Sequence, residues 1–273
     1  GITLKEDGRV RKVAIVGAGP AGMEAAITLA KRGFDPEIFE KEDQAGGMEI
    51  MAAIPDGKAK VNWHIDYYRN ELERLKIKVH LNKEARESDL EAIKPYAVLV
   101  GTGSNPIIPG KLPGIQLPHV KKVRDILIDF PKVTGKQIVI VGAGLVGLEC
   151  GITYANRGNK VTVIDMLPDP ATTPADHMMV VGHALQVGIE ILMHHKLLEI
   201  TPDTVLAENL AQEQSVSIPA DEVVLCMGVS SNNSLYEEIK DKFERVHNIG
   251  DSRKTGTIIE AVQNGFDVAF SLS

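Results

Sequence analysis

A glycine-rich segment occurs twice in this chain, and the repetition constrains the fold more than any other feature. Residues 13–22 (VAIVGAGPAG) return as residues 138–147 (IVIVGAGLVG), at an offset of 125 residues. The match extends downstream, because the acidic residues Glu40 and Asp165 lie at the same offset. Two copies with the same extended spacing indicate two similarly folded halves.

Each half carries the same three glycines after a short apolar strand. They are Gly17, Gly19 and Gly22 in the first half, and Gly142, Gly144 and Gly147 in the second. The first glycine permits a tight strand-to-helix turn, the second lets backbone amides approach a pyrophosphate at the helix amino terminus, and the third allows close helix packing. Glu40 and Asp165 end the next strands, where a carboxylate accepts hydrogen bonds from ribose hydroxyls.

The remaining sequence supplies the elements that complete two α/β halves. Apolar spacing predicts amphipathic helices over residues 61–75 and 257–271. Buried or short strands are predicted at 78–81, 96–103, 221–228 and 246–251.

A proline-rich stretch separates the halves, since four prolines fall between residues 106 and 118 and indicate a linker. The predicted fold class is α/β, with two Rossmann-like dinucleotide-binding domains, the second inserted into the first. The first domain comprises residues 1–107 and 245–273, and the second comprises residues 108–244.

Composition excludes several classes of protein. The 273 residues include 30 Lys and Arg against 37 Asp and Glu, so the net charge of −7 lacks the basic footprint of a nucleic-acid binder. No apolar stretch is long enough to span a membrane, and no signal-peptide pattern is present. Cys150 and Cys226 form no CxxC pair. We therefore expect a cytoplasmic protein without a disulfide framework or zinc site.

Further motifs resemble those of flavoproteins with two dinucleotide-binding domains. Gly46-Gly47 follows Glu40, Thr102-Gly103 resembles the family's Ala-Thr-Gly turn, and Gly250-Asp251 resembles its late Gly-Asp motif. The resemblance implies that the first domain binds FAD, with Asp251 at its ribityl or pyrophosphate region. It implies that the second domain binds NAD(P)H.

One group within these flavoproteins is especially similar. The segments 46–55, 67–69 and 249–267 resemble the carboxy-terminal region of NADH:flavin oxidoreductases of the 2,4-dienoyl-CoA reductase, enoate reductase and trimethylamine dehydrogenase type. Met48 departs from that group, because Gln commonly follows its glycine pair. The group implies a partner, an amino-terminal barrel domain with FMN and an iron–sulfur cluster. Since the chain lacks an initiator Met, we expect it to be part of a longer protein. The surface that would face the absent barrel should be unusually apolar, so we also expect weak self-association as a homo-oligomer.

The implied reaction is hydride transfer from NADH to FAD, which needs no acid or base side chain. We therefore predict no catalytic side chain and no metal ligand. Asp165 favours NADH over NADPH because it would repel a 2′-phosphate, and Glu149 is a candidate nicotinamide contact by resemblance. The predicted cofactor-binding residues are Gly17, Gly19, Pro20, Ala21, Gly22, Glu40, Lys41, Gly46, Gly47, Met48, Thr102, Gly103, Gly142, Gly144, Leu145, Val146, Glu149, Asp165, Gly228, Gly250 and Asp251.

Other interpretations stay open. In trimethylamine dehydrogenase-like proteins the corresponding region binds ADP as a structural module, without redox turnover, and glutamate-synthase small-subunit relatives are a further alternative. Dithiol chemistry is not expected, since both cysteines are predicted to be small core residues. His194 and His195 are predicted to be solvated histidines at a strand end.

Overall fold

The computed structural model describes residues 3–128, 130, 132–170 and 177–273. They form two compact units. The first contains Gly1–Ala53, Lys60–Asn105 and Val229–Ser273, and the second contains Ile54–Ala59 and Pro106–Gly228. The second unit is therefore built mainly from one continuous stretch of chain that interrupts the first.

The strands and helices follow the chain in this order. The strands are β1 (Lys12–Val16), β2 (Asp35–Phe39), β3 (Lys78–His80), β4 (Ala97–Val100), β5 (Ser104–Pro106), β6 (Val120–Lys122), β7 (Gln137–Val141), β8 (Lys160–Ile164), β9 (Glu190–Leu192), β10 (His195–Ile200), β11 (Thr204–Asn209), β12 (Gln214–Pro219), β13 (Glu222–Leu225), β14 (Val229–Ser231) and β15 (Val246–Asn248). The α-helices are α1 (Pro20–Lys31), α2 (Glu49–Ala52), α3 (Val61–Arg74), α4 (Glu87–Ile93), α5 (Val123–Ile128), α6 (Leu145–Asn156), α7 (Gly182–Gln186), α8 (Ser234–Ile239) and α9 (Ile258–Ser271).

The first unit is a parallel sheet in the order β15-β4-β1-β2-β3. Its central strands are buried on both faces, as crossover helices require. Helix α1 follows β1 directly and packs against α9, where the absent side chain of Gly265 allows the close approach: a Cβ there would lie 2.2 Å from the carbonyl oxygen of Ala21. Buried Arg32 at the end of α1 donates to the carbonyls of Ala269 and Phe270, which fixes the end of α9.

The second unit repeats this plan with one addition. Its parallel sheet has the order β6-β13-β7-β8-β9, and a separate antiparallel meander runs β10-β11-β12. The apolar side chains of the meander share one core with the parallel sheet. No periodicity in the sequence had predicted the meander.

The predicted α/β class with two parallel sheets is confirmed, and so are the predicted elements. The helix predicted over 61–75 ends at Arg74, and the one predicted over 257–271 begins after Thr257, whose hydroxyl accepts from the backbone N–H of Glu260. The predicted proline linker is wrong. Ile115 is buried in the second core, and the carbonyl of Pro113 accepts from Ile200 N, so this stretch is part of the second unit.

A buried carboxylate holds the edge of the first sheet together. Glu37 on β2 pairs with Lys12 on β1 at 2.9 Å, with Lys78 on β3 at 3.4 Å and with His80 at 3.0 Å. Burial opposes ionisation of Glu37, but the hydrogen bonds and charges of its partners outweigh burial and lower its pKa from 4.5 to about 2. The ionised carboxylate therefore links three adjacent strands.

We expect Glu37→Gln to lower the free energy of unfolding at neutral pH by roughly 2–3 kcal/mol. A lowered folded-state pKa contributes stability above the unfolded value of 4.5, and that contribution disappears as the pH falls toward 2. The difference between variant and wild type should shrink across this window in urea titrations. The exposed Glu73→Gln is the control. A pH-independent difference would assign the effect to packing.

Candidate functional site

The first glycine turn is shaped by the absence of side chains. Gly17 has φ +103°, and a Cβ there would lie 2.2 Å from the carbonyl oxygen of Gly101. A Cβ on Gly22 would lie 2.0 Å from the carbonyl oxygen of Gly17, so α1 starts in direct contact with the turn. Gly19 caps α1, and no atom lies within 4 Å of its Cβ position. The helix amino terminus is thus open to an anion.

Glu40 braces this turn from the end of β2. Its buried carboxylate accepts from the backbone N–H of Ala18 at 2.6 Å and from that of Glu42 at 2.9 Å. An ionised carboxylate has about four acceptor positions. These two bonds leave positions for ribose hydroxyls, while the neighbouring Lys41 is exposed.

The predicted motifs Gly46-Gly47 and Gly250-Asp251 also lie at the amino terminus of α1. A Cβ on Gly47 would lie 2.9 Å from the Cα of Gly19, and a Cβ on Gly250 would lie 2.8 Å from the Cβ of Ala21. Both glycines have positive φ, +57° and +60°. The fold therefore assembles three separated stretches of sequence, with Asp251 next to the third, around the start of α1.

Asp251 is held by Ser104, a residue that no motif had predicted. Its carboxylate accepts from Ser104 Oγ at 3.1 Å and from the backbone N–H of Gly256 at 3.2 Å, and burial raises its pKa. Ser104 directly follows the Thr102-Gly103 motif, and this position is the one feature of the sequence that could have identified it. Thr102 itself donates its hydroxyl to the carbonyl of Asn232 at 2.6 Å.

Helix α3 fastens the glycine-pair loop on both sides of Gly46-Gly47. Arg69 Nε donates to the carbonyl of Ala45 at 2.9 Å, and Nδ1 of His64 lies 2.5 Å from Oε1 of Glu49. Glu49 is buried, which raises its pKa, while the His64 bond opposes that rise. Met48, between these anchors, is exposed.

The second glycine turn has the same construction. Gly142 has φ +115°, and a Cβ there would lie 2.1 Å from the carbonyl oxygen of Cys226. A Cβ on Gly147 would lie 2.0 Å from the carbonyl oxygen of Gly142. Gly144 caps α6, as Gly19 caps α1. Both close approaches therefore recur at corresponding glycines.

Asp165 supports the second glycine turn as Glu40 supports the first. Its carboxylate accepts from the backbone N–H of Ala143 at 2.7 Å and from that of Leu167 at 2.9 Å. Leu145 and Val146 form the first turn of α6, and Val146 is exposed. In the second unit, therefore, a hydrogen-bond acceptor lies beside an accessible helix amino terminus, as Glu40 lies beside α1 in the first unit.

Glu149 on α6 has a cationic partner in the short segment 54–59. Lys58 Nζ lies 2.8 Å from Glu149 Oε1, and the Glu149 side chain is largely buried. Lys58 was not predictable from the sequence, since 91 positions separate the two residues. Gly228, also predicted, has φ +85° and accepts through its carbonyl from Ile107 N.

Separation along the sequence does not predict the surroundings of the two cysteines or of His195. Cys150 and Cys226 are both free, and hydrogen bonding to the Cys150 thiol together with burial raises the pKa of Cys226 well above its usual value. The two thiols are therefore neighbours despite their separation in sequence. The prediction that His195 is solvated is wrong. It is buried, and its Nδ1 donates to the carbonyl of Met193 at 2.7 Å.

Two helix amino termini, each with a glycine turn and a braced carboxylate, define a protein that binds two dinucleotides. The open space at Gly19 and the unused acceptor positions on Glu40 fit the pyrophosphate and ribose of such a cofactor. Among the residues that the structure describes, no group of three or more His, Cys, Asp or Glu side chains could hold a metal ion. No helix in the described part of the chain could cross a membrane.

The chain belongs to the pyridine nucleotide-disulphide oxidoreductase family, whose model matches residues 11–250. It is 36% identical over 270 residues to an NADH oxidase of Thermoanaerobacter brockii, covering 96% of this chain and 41% of that protein. It is 30% identical to a bilirubin reductase of Mediterraneibacter gnavus, and the match covers 97% of this chain and 41% of that protein. The chain thus spans about two fifths of the length of these relatives.

Solved structures agree with this assignment. A 2-naphthoyl-CoA reductase in complex with 2-naphthoyl-CoA matches with a TM-score of 0.90 and 27% identity, over 99% of this chain and 41% of the other. Lactococcus lactis thioredoxin reductase matches with a TM-score of 0.77 at 17% identity, over 95% and 96%, which shows the shared fold. The chain is therefore a domain of this oxidoreductase family, as the resemblance of its motifs had implied.

We expect Glu40→Ala to weaken FAD binding by roughly 1.5–3 kcal/mol, the scale of a hydrogen bond to a charged group. The variant would lose the predicted ribose acceptor and would free the Ala18 N–H of the turn. Titration of the apoprotein with FAD measures the effect, with circular dichroism to verify folding. The exposed Asp43→Ala removes the same charge from the same loop and should bind FAD as wild type does. A folded Glu40→Ala variant with unchanged affinity would exclude Glu40 from the site.

Proposed function

We propose that the first unit binds FAD, that the second unit binds NADH, and that the domain passes reducing equivalents from NADH to FAD. The observation that carries this proposal is the duplicated arrangement of Ala18 N–H with Glu40 and Ala143 N–H with Asp165. When bound, the two cofactors would supply the redox chemistry, the transfer of a hydride from the nicotinamide to the flavin. The protein supplies position and electrostatics.

The residues proposed for FAD are those gathered at α1. The backbone amides at Gly19 and beyond receive the pyrophosphate, Glu40 receives the adenosine ribose, and Asp251 receives the ribityl end. Ser104 and Gly256 N–H orient the Asp251 carboxylate. These hydrogen bonds fix an acceptor before the cofactor arrives, which lowers the entropic cost of binding.

The residues proposed for NADH are those at α6. Asp165 accepts from the adenosine ribose 2′-hydroxyl, and its charge disfavours the 2′-phosphate of NADPH. An engineered NADPH-bound form of a Lactobacillus brevis NADH oxidase carries, among its five changes, substitutions of a glycine and an aspartate with the spacing of Gly147 and Asp165. This supports a preference for NADH in the present chain.

We further propose that the domain works within a longer flavoprotein. The relatives include a cinnamate reductase of Clostridium sporogenes and the Thermoanaerobacter NADH oxidase, and the chain matches 40–41% of the length of each. By resemblance, the partner is a barrel domain with FMN and an iron–sulfur cluster that receives electrons from FAD. The two free thiols fit a reducing, cytoplasmic setting.

The deciding experiment is anaerobic mixing of NADH with the FAD-loaded protein, followed by flavin absorbance. We expect bleaching with NADH and much slower bleaching with the same concentration of NADPH. The loaded protein should also reduce an artificial dye, but not an enoyl thioester. If flavin stays oxidised while both nucleotides are shown to be bound, the ADP-binding structural module becomes the better interpretation. Faster bleaching with NADPH would contradict the role of Asp165.

We expect Lys58→Met to slow flavin bleaching by about tenfold, equivalent to about 1.4 kcal/mol, without changing FAD affinity. The variant leaves the largely buried Glu149 carboxylate without the cation that lies 2.8 Å away, beside the proposed nicotinamide site. Lys60→Met alters the next lysine, which lies over the exposed Trp63 ring, and is the matched control. Equal rates for wild type and Lys58→Met would remove the Lys58–Glu149 pair from the site.

A further inference from the structure

The turn after β9 lies directly beside the loop that contains Asp165. The backbone N–H of His194 donates to the carbonyl of Leu167 at 2.9 Å, and the N–H of His195 donates to the carbonyl of Asp165 at 2.7 Å. Leu167 N–H in turn donates to the Asp165 carboxylate. His194 is therefore attached to the same loop that fixes the proposed ribose acceptor.

The first unit contains the same attachment at the corresponding turn after β3. Asn82 N–H donates to the carbonyl of Glu42 at 2.9 Å, and Lys83 N–H donates to the carbonyl of Glu40 at 2.8 Å. Asn82 therefore occupies the position in the first unit that His194 occupies in the second. The duplication extends from the glycine turns to this third strand.

The two positions share a backbone conformation but differ in side chain. Asn82 has φ +53° and His194 has φ +60°, the left-handed region that Asn and His enter more readily than most residues. Conformation alone would be satisfied by Asn at both places. His194 adds an imidazole, which can donate a hydrogen bond to a hydroxyl or phosphate oxygen. The next histidine, His195, already donates to Met193.

We propose that His194 is a specificity-determining residue of the second unit, and that its imidazole borders the 2′ position of the adenosine ribose. The proposal rests on the proposed function, because it takes Asp165 as the ribose acceptor. Asp165 disfavours a 2′-phosphate, whereas an imidazole favours one. Selectivity for the dinucleotide without the 2′-phosphate then depends on the opposite effects of Asp165 and His194, which lie on adjoining turns.

The test uses two fragments that lack the nicotinamide, ADP-ribose and its 2′-phosphate, titrated calorimetrically into the FAD-loaded protein. We expect His194→Arg to raise affinity for the 2′-phosphate by about tenfold, while affinity for ADP-ribose stays within about twofold of wild type. His194→Asn keeps the left-handed turn and removes the imidazole. It should weaken 2′-phosphate binding by about threefold relative to ADP-ribose.

Two controls separate position from charge. His183→Arg adds a guanidinium at an exposed site in α7 of the second unit, and Asn82→Arg adds one at the matched turn of the first unit. Neither should change the ratio of the two affinities. An unchanged ratio in both His194 variants overturns the inference, and so does an equal gain in His183→Arg. Wild-type protein that binds neither fragment, or an Asp165→Ala variant that binds ADP-ribose normally, overturns the proposed function and the inference with it.

Discussion

The hydrogen bond from a glycine-turn N–H to a carboxylate at the end of the next strand is the interaction on which both units depend. It joins Ala18 to Glu40 and Ala143 to Asp165. Each bond ties a strand-to-helix turn to the neighbouring strand and orients an anionic acceptor at the sheet edge. Because the carboxylate uses only part of its acceptor capacity, one group both supports the turn and remains available to a ligand.

Close backbone contact makes this arrangement possible. At the first turn, carbonyl oxygens of Gly101 and Gly17 occupy the space that side chains would need, and at the second turn those of Cys226 and Gly142 do the same. A side chain at these glycines would require movement of backbone, which a packed interior resists. The loops that complete the first site are then fixed by polar bonds from Ser104, Arg69 and His64.

The repeated strand, turn and helix of each unit were predictable from the sequence. Each repeat lies within about 30 residues, so the spacing and type of its residues form a local pattern. The contributions of Ser104, Lys58 and Arg69 were not predictable. Each depends on which distant segments the fold brings together, and a single serine or lysine carries no local pattern. The meander and the packing of the 106–118 stretch escaped for a related reason: their apolar residues pack on a core that includes strands elsewhere in the chain.

The interruption of the first unit by the second has a consequence for the order of folding on the ribosome. The first unit needs β15 and α9, which come after residue 229, whereas nearly all of the second unit lies between residues 106 and 228. Domains generally fold as units as their chain emerges. The inserted unit therefore has its complete sequence first, and of these two units the interrupted one closes last.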